Sequence, residues 1–175
     1  MADPGDVIIC DHDPKWMDDF RSEAARILGV IGPLALHIQH VGSTAIPGLA
    51  AKPVIDILVA VEDLQQREKF VRLLEPLGYI NVPHDDPGRL FFRKGMPRTY
   101  HLYLVKKRSW DYWKHVMFRD YLIDHPSAAE EYECLKRLLV SKHSTERERY
   151  VEGKADLIEL ILQRAVGEQV QLRQD

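Results

Sequence analysis

The segment HVGSTAIPGLAAKPVIDILVAV, from His40 to Val61, constrains the fold of this 175-residue chain more than any other. It sets a Gly-Ser pair behind one apolar run and an aspartate inside the next. Residues 34–41 (LALHIQHV) read as a strand. Gly42-Ser43, followed by Thr44, then offers backbone N–H groups and hydroxyls at the start of a short helical segment. That arrangement cradles phosphate. Downstream, Asp56 interrupts Val54-Ile55-Asp56-Ile57-Leu58-Val59. A carboxylate in such a run requires a partner, a metal or a catalytic purpose, because burying it bare costs several kcal/mol.

Composition excludes several classes. With 45% hydrophobic and 29% charged residues the chain buries a full core and matches ordinary globular usage, so a second independent domain is not expected. The formal charge of −3 gives no global basic field, hence no strong nucleic-acid signal. Any anion site must be local. Cys10 and Cys134 lack zinc-type spacing, and neither a signal-peptide pattern nor a long apolar span is evident. A reducing cytoplasm and no membrane association are the expectation.

Along its length the chain changes character near residue 107, from β-branched runs alternating with helices to aromatic and charged residues at helical spacing. Asp13-Pro14 reads as an N-cap followed by Pro at the first helical position, opening a helix that ends at Gly29. A second helix is predicted over 63–76 with Gly78 as its stop, followed by strands at 79–82, 89–94 and 99–105. Three helices are predicted over 109–124, 126–142 and 144–166, with fraying after Gly167. In the first of these, Trp110, Trp113, Met117 and Tyr121 form the expected core stripe; Leu135, Leu138 and Leu139 are expected to face inward in the second. The charges of ERERYVEGK are expected to be mainly exposed.

The block GSTAIPGLAAKPVIDI, the later RTYHLYLV, the run FRDYL-x-x-HP-x-x-A-x-x-Y-x-x-LK and the closing Tyr150-x-x-x-Lys154 together resemble the GrpB family, from about residue 10 to residue 165. The resemblance implies an α/β (α+β) fold similar to the polymerase-β-type nucleotidyltransferases. Its parts would be a minimal mixed sheet with flanking helices over residues 1–106 and a C-terminal helical lobe over 107–175. Fold alone does not identify a reaction.

The nucleotidyltransferase pattern is a Gly-Ser turn followed by Asp-x-Asp on the next strand, with a third carboxylate on a later strand; the paired carboxylates hold two Mg²⁺ ions. Here Asp56 is present, but the residue two positions on, sharing its strand face, is Leu58. The alternative metal donors are His40, beside the turn, and His101 in the last strand. The family pattern there is His-x-His, and Tyr103 replaces its second member. Mg²⁺ or Mn²⁺ is the expected cofactor, nitrogen ligands favouring Mn²⁺, Zn²⁺ or Fe²⁺.

The resulting expectation is metal-dependent transfer of a nucleotidyl or phosphoryl group from a nucleoside triphosphate to a small acceptor. Gly42, Ser43, Thr44 and Lys52 would hold the triphosphate, Asp56 and His101 the metal, and Arg93 or Arg98 would neutralise developing charge. Ser43, Asp56 and His101 are thus the catalytic candidates. Arg119, Lys136, Tyr150 and Lys154, matching family motifs, would bind the distal end of the substrate. Two other functions stand beside this one: a catalytically silent nucleotide- or coenzyme A-binding module serving another enzyme, and a metal-dependent hydrolase using His40, Asp56 and His101. Purely structural roles are equally concrete. The Gly-Ser turn would be an ordinary cap, Asp56 would pair with Lys52 or an Arg, Arg89 and Lys94 would be solvated, and Arg119 and the lysines would join an interlobe network with Asp120 or Glu131. Oligomeric state is left open.

Overall fold

Strand parity organises the molecule. The computed structural model describes residues 7–84 and 86–171, and in it IDILVAV forms β2 (Ile55–Val61). Successive side chains on a strand point to opposite faces. Ile55, Ile57, Val59 and Val61 therefore enter one apolar cluster, while Leu58 and Ala60 enter another. By the same alternation Asp56 belongs to the Leu58 face, one step beyond its apolar cover.

Four further strands complete a mixed sheet: β1 (Ala35–Val41), β3 (Ile80–Asn81), β4 (Arg89–Lys94) and β5 (Tyr100–Lys106), in the order β1-β2-β5-β4-β3. Only β2 and β5 run parallel among these neighbours. Their register sets Asp56 opposite His101 and Leu58 opposite Tyr103. The antiparallel β4 adds Phe91 opposite Tyr103 and Arg93 opposite His101. Five chemically useful side chains thereby share one face.

The other face is covered by α1 (Lys15–Ile31) and α2 (Arg67–Leu74). Trp16, Ile27, Ile31, Phe70 and Leu74 pack there against Phe92, Leu102 and Leu104, each fully buried aliphatic contributing about 1.5–3 kcal/mol. The Asp13 carboxylate accepts the Lys15 N–H at 2.9 Å, so the expected start holds. The helix overruns Gly29 to Ile31, because Ile31 is completely buried and its burial outweighs the roughly 1 kcal/mol cost of a helical glycine. α2 begins later than expected, since Asp63 accepts the Gln65 N–H in a local turn that competes with helix. A 3-10 turn, Glu75–Leu77, extends it, and Gly78, at φ 86°, ends that turn where the stop was read from sequence. Lys94 departs from its solvated reading: its Nζ reaches the buried Glu23 carboxylate at 2.5 Å and ties β4 to α1.

The remaining helices are α3 (Trp110–Asp124), α4 (Pro126–His143), α5 (Arg147–Glu152) and α6 (Ala155–Gln171). Ser109 caps α3 by accepting the Tyr112 N–H at 3.2 Å, and Tyr112 and Val116 then roof Leu58, Ala60 and Val105. A second cluster joins Phe118 and Leu122 to Ala128, Tyr132, Ile161 and Leu162, with Ile46 and Leu49 from the loop before β2. The expected α3 stripe is corrected in part: Trp110 is 56% and Trp113 45% exposed, Tyr121 packs against this cluster as expected, and Tyr112, Phe118 and Leu122 face inward. This helix carries aromatics on more than one side, and the fit of Tyr112 onto the sheet selects the face. Leu138 is likewise exposed. The predicted last helix is two, broken at Gly153, where a Cβ would strike the Leu139 side chain of α4. Beyond Gly167, where fraying was expected, α6 continues to Gln171; residues 172–175 lie outside the described residues. No helix among the described residues is long and apolar enough to cross a membrane.

Candidate functional site

The turn after β1 is built around Gly42, whose φ of 72° lies in the left-handed region that favours glycine. A Cβ there would overlap the Asp56 carboxylate, so the backbone of the turn and the β2 carboxylate are in close apposition. Ser43–Ala45 forms one short 3-10 turn, and Ser43 supplies no side-chain cap to it. Ser43 instead faces the cleft, where it and Tyr132 of α4 line the same cavity. The capping reading of Ser43 is thus not met, and its side chain lines the cleft.

Asp56 is held by its sheet neighbours. His101 Nδ1 lies 2.8 Å from Asp56 Oδ1, and Tyr103, two residues on along β5, lines the same cavity. His101 Nε2 lies 3.3 Å from Arg98 Nη1, and a guanidinium only donates, so Nε2 accepts and Nδ1 carries the proton. Burial, reinforced by the Asp56 charge, pushes the Tyr103 hydroxyl well above the usual phenol range and keeps it protonated as a donor. Phe91 stacks on Tyr103 with ring centroids 5.0 Å apart and packs edge-on against His101.

Around this group lies a cavity of about 280 Å³ whose basic side chains come from separate segments. Lys52 precedes β2, Lys136 projects from α4, Arg147 opens α5, and Lys154 sits at the α5–α6 break, with Asp56 as the one lining carboxylate among the described residues. Lys136 is almost wholly buried, donates to the Ala50 carbonyl and sits 4.8 Å from the centre of the Tyr132 ring. Burial, with the Lys154 charge adding to it, lowers its pKa to about 7. Lys154 packs over Tyr150 at 4.3 Å and is lowered to about 8 by burial, with Lys52 and Arg147 opposing its charge and Asp56 favouring it. Burial also raises the Tyr150 hydroxyl to about 12. Four basic side chains and Asp56 meet here among the described lining residues, an arrangement that favours an incoming anion.

Several expected site residues stand elsewhere. His40 is buried behind the turn, stacked on Phe20 at 4.8 Å, with its Nε2 3.0 Å from Thr44 Oγ1. Thr44 in turn donates to the Val54 carbonyl, so His40 locks the turn from behind while Thr44 lines the cavity. Burial lowers the His40 pKa to about 4 and keeps it neutral. Arg119 lies outside the cavity: it donates to Gln39 Oε1 and to the His40 carbonyl, both at 2.9 Å, and pairs with Asp120, the structural alternative read from sequence. Arg93 and Arg98 line an adjoining open groove of about 660 Å³, which shares Phe91 and Arg147 with the first cavity.

The donor set does not fit the expected divalent metal, Mg²⁺ or Mn²⁺. Asp56 Oδ1 is engaged by His101, both His101 nitrogens are committed, His40 is turned to Thr44, and Leu58 is sealed under Tyr112. Among the described residues no cluster of three His, Cys, Asp or Glu side chains is suited to a metal.

Sequence reasoning passed over Arg147, Phe91, Tyr132 and His115. Arg147 sits three residues before Tyr150, on the same helical face, which was the available signal. Phe91 was reachable from β4–β5 register. Tyr132 was within reach, since it stands in the quoted family run one helical turn before Lys136, whereas His115 gave no signal, because only packing brings it to the cleft.

The sequence profile of the GrpB protein family matches residues 6–164. The chain belongs to the GrpB family. The UPF0157 protein PA4798 of Pseudomonas aeruginosa is 38% identical over 173 residues, covering 95% of this chain and 70% of that protein. The crystal structure of the conserved protein GrpB from Enterococcus faecalis superposes with a TM-score of 0.87 at 31% identity, covering 93% of this chain and 99% of that one. Terminal uridylyl transferase 4 from Trypanosoma brucei, with bound UPU, has a TM-score of 0.52 at 13% identity, covering 84% and 53% of the two chains. That likeness shows the fold alone, and the fold is nucleotidyltransferase-like, as the Gly-Ser and Asp56 block implied.

Proposed function

We propose that this GrpB domain binds the polyphosphate group of a nucleoside triphosphate in the cavity between its sheet and its C-terminal helices. One observation carries the reading: Lys52, Lys136, Arg147 and Lys154 converge from four chain segments on a space beside the Gly42-Ser43 turn. Arg147 suits forked contact with phosphate oxygens, and the three lysines act as point charges. Ser43 adds a hydroxyl, and the left-handed backbone at Gly42 leaves room for the turn to sit against Asp56. A coenzyme A phosphate is an alternative occupant of the same charge pattern.

Binding without turnover is the preferred form of this reading, because Leu58 and the doubly engaged His101 remove the donors that a two-ion transferase requires. Transfer of a nucleotidyl or phosphoryl group to a small acceptor is the second form. It is favoured by the position of Asp56, which lines both this cavity and its neighbour and would accept a proton from an acceptor hydroxyl between them.

Thermal shifts with ATP, GTP, CTP, UTP and coenzyme A test the proposal. Ligand at a hundred times its dissociation constant stabilises the fold by about 2.7 kcal/mol if it binds only the folded state. No shift with any of them refutes it. Pyrophosphate or phosphate release in the same mixtures would move the assignment to transfer.

A further inference from the structure

A second cavity, of about 300 Å³, adjoins the first and shares Ser43, Asp56, Tyr103 and Lys154 with it. Its chemistry differs. The outer walls are Phe118 of α3 and Ile158 and Leu162 of α6, apolar side chains on helices that otherwise close the second core cluster. The space therefore interrupts a packed apolar layer, whereas the neighbouring cavity is lined by lysine and arginine. A ligand that fills both must be charged at one end and uncharged at the other.

One polar group in the second cavity has a defined role. His115 Nδ1 lies 2.7 Å from the Asp111 carbonyl, one helical turn back, and a carbonyl only accepts. The proton is therefore on Nδ1, and Nε2 is an acceptor. Burial holds the His115 pKa down and keeps the ring in this neutral form, while Tyr103 packs beside it at 5.0 Å between ring centres. Lys114, also at this cavity, is neutralised by Asp111. The cavity thus offers aromatic and aliphatic walls, the neutral His115 acceptor and the hydroxyls of Ser43, Tyr103 and Tyr132, with the charges of Lys154 and Asp56 on the side it shares with the first cavity.

We infer that this second cavity is the subsite for a planar nitrogen heterocycle bearing an N–H donor, covalently joined to the phosphate group held next door, with His115 reading the donor. The inference rests on the polyphosphate reading of the first cavity. It makes the ligand a nucleotide with its base against Phe118 and Leu162, and it places the phosphate-bearing linkage beside Asp56, where the two cavities meet.

Calorimetry on the full chain with three kinds of probe tests this: inorganic triphosphate, the four common ribonucleoside triphosphates, and the uncharged nucleosides. At least one nucleoside triphosphate should bind about tenfold or more tightly than triphosphate, a difference of about 1.4 kcal/mol. Ile158→Phe, which fills the second cavity, should erase that advantage and leave triphosphate affinity unchanged. His115→Phe keeps a ring but removes the acceptor, and should cut the advantage by about two- to tenfold, the range of one net hydrogen bond. Equal affinity for triphosphate and all four nucleotides overturns the inference, as does an advantage that survives both variants in protein shown to be folded by circular dichroism. If triphosphate fails to bind while a nucleoside binds and Ile158→Phe removes it, the subsite stands and the polyphosphate reading falls. Absence of binding by every probe removes both.

Discussion

His101 donates its Nδ1–H to Asp56 Oδ1 at 2.8 Å across the parallel β2–β5 pair, and the same ring accepts from Arg98 on its far side. The imidazole is therefore a spacer that fixes the carboxylate, with no nitrogen left over for a metal. Asp56 enters the cleft as an oriented anion among cations.

Replacing that anion tests how the cleft recognises phosphate. In chelator-treated buffer Asp56→Asn should tighten inorganic triphosphate binding by about threefold to tenfold, because a negative charge is removed from the cavity wall while the lysines remain. Calorimetry gives the sign directly. Weaker binding would mean that Asp56 acts through a bridging cation, and would favour the transfer reading.

Leu58→Asp restores the missing second carboxylate in sequence but not in space. Leu58 is fully buried among Val41, Ala60, Val105 and Tyr112. Loss of its packing together with a buried unpaired carboxyl should destabilise the protein by about 3 kcal/mol or more. The expected result in urea unfolding is a lower midpoint with no gain in Mg²⁺ affinity.

Phosphate affinity should fall as pH rises. Lys136 and Lys154 have pKa values of about 7 and about 8 in the ligand-free cleft, so both are progressively neutralised between pH 6 and pH 9. An anion binds their charged forms and takes up protons on binding. Lys136→Met, which keeps most of the stem, should weaken triphosphate binding about tenfold at pH 6 and flatten the lower step of the profile. Stability has the opposite dependence on pH: the folded pKa of Lys136 lies below that of the unfolded chain, so the unfolded state holds more protons above about pH 7 and stability rises with pH there.

His40 predicts acid sensitivity. Its folded pKa is about 4 against 6.5 for the unstructured side chain, so its contribution is complete above pH 6.5 and is lost as pH falls toward 4. The size is on the order of 3 kcal/mol. Urea midpoints at pH 7 and pH 4.5 should differ strongly in the wild type, and His40→Leu should reduce the difference while lowering stability at pH 7, because Thr44 loses its donor.

The parts of this fold that alternate were legible in sequence. β2, β4 and β5, the Gly78 stop and the Asp13 start are set by local chemistry, by periodicity of two, a left-handed glycine and a side-chain turn, and they appear close to where they were expected. Ser43, Lys52, Asp56, His101, Lys136, Tyr150 and Lys154 do line one cavity. The face of α3 was not legible, since its aromatics occur on several sides and only contact with the sheet chooses among them. Nor was the role of His40, whose neighbour in the sequence is the phosphate turn but whose side chain faces Phe20. The α5–α6 break depends on Leu139, fourteen positions before Gly153, a contact no local pattern carries.

The alternation within β2 has a further consequence for how the chain avoids error. A slip of one residue against β1 or β5 would carry Asp56 into the space now filled by Ile55 and Ile57, against Phe92 and Leu102, and would turn Ile57 out toward the lysines. Neither exchange is tolerable: an apolar layer rejects a naked carboxylate, and the wet end of the sheet gains nothing from isoleucine. Asp56 is therefore also a registration mark, and the residue that supplies the cleft with a lining carboxylate penalises misaligned pairing of the central strand before any ligand is present.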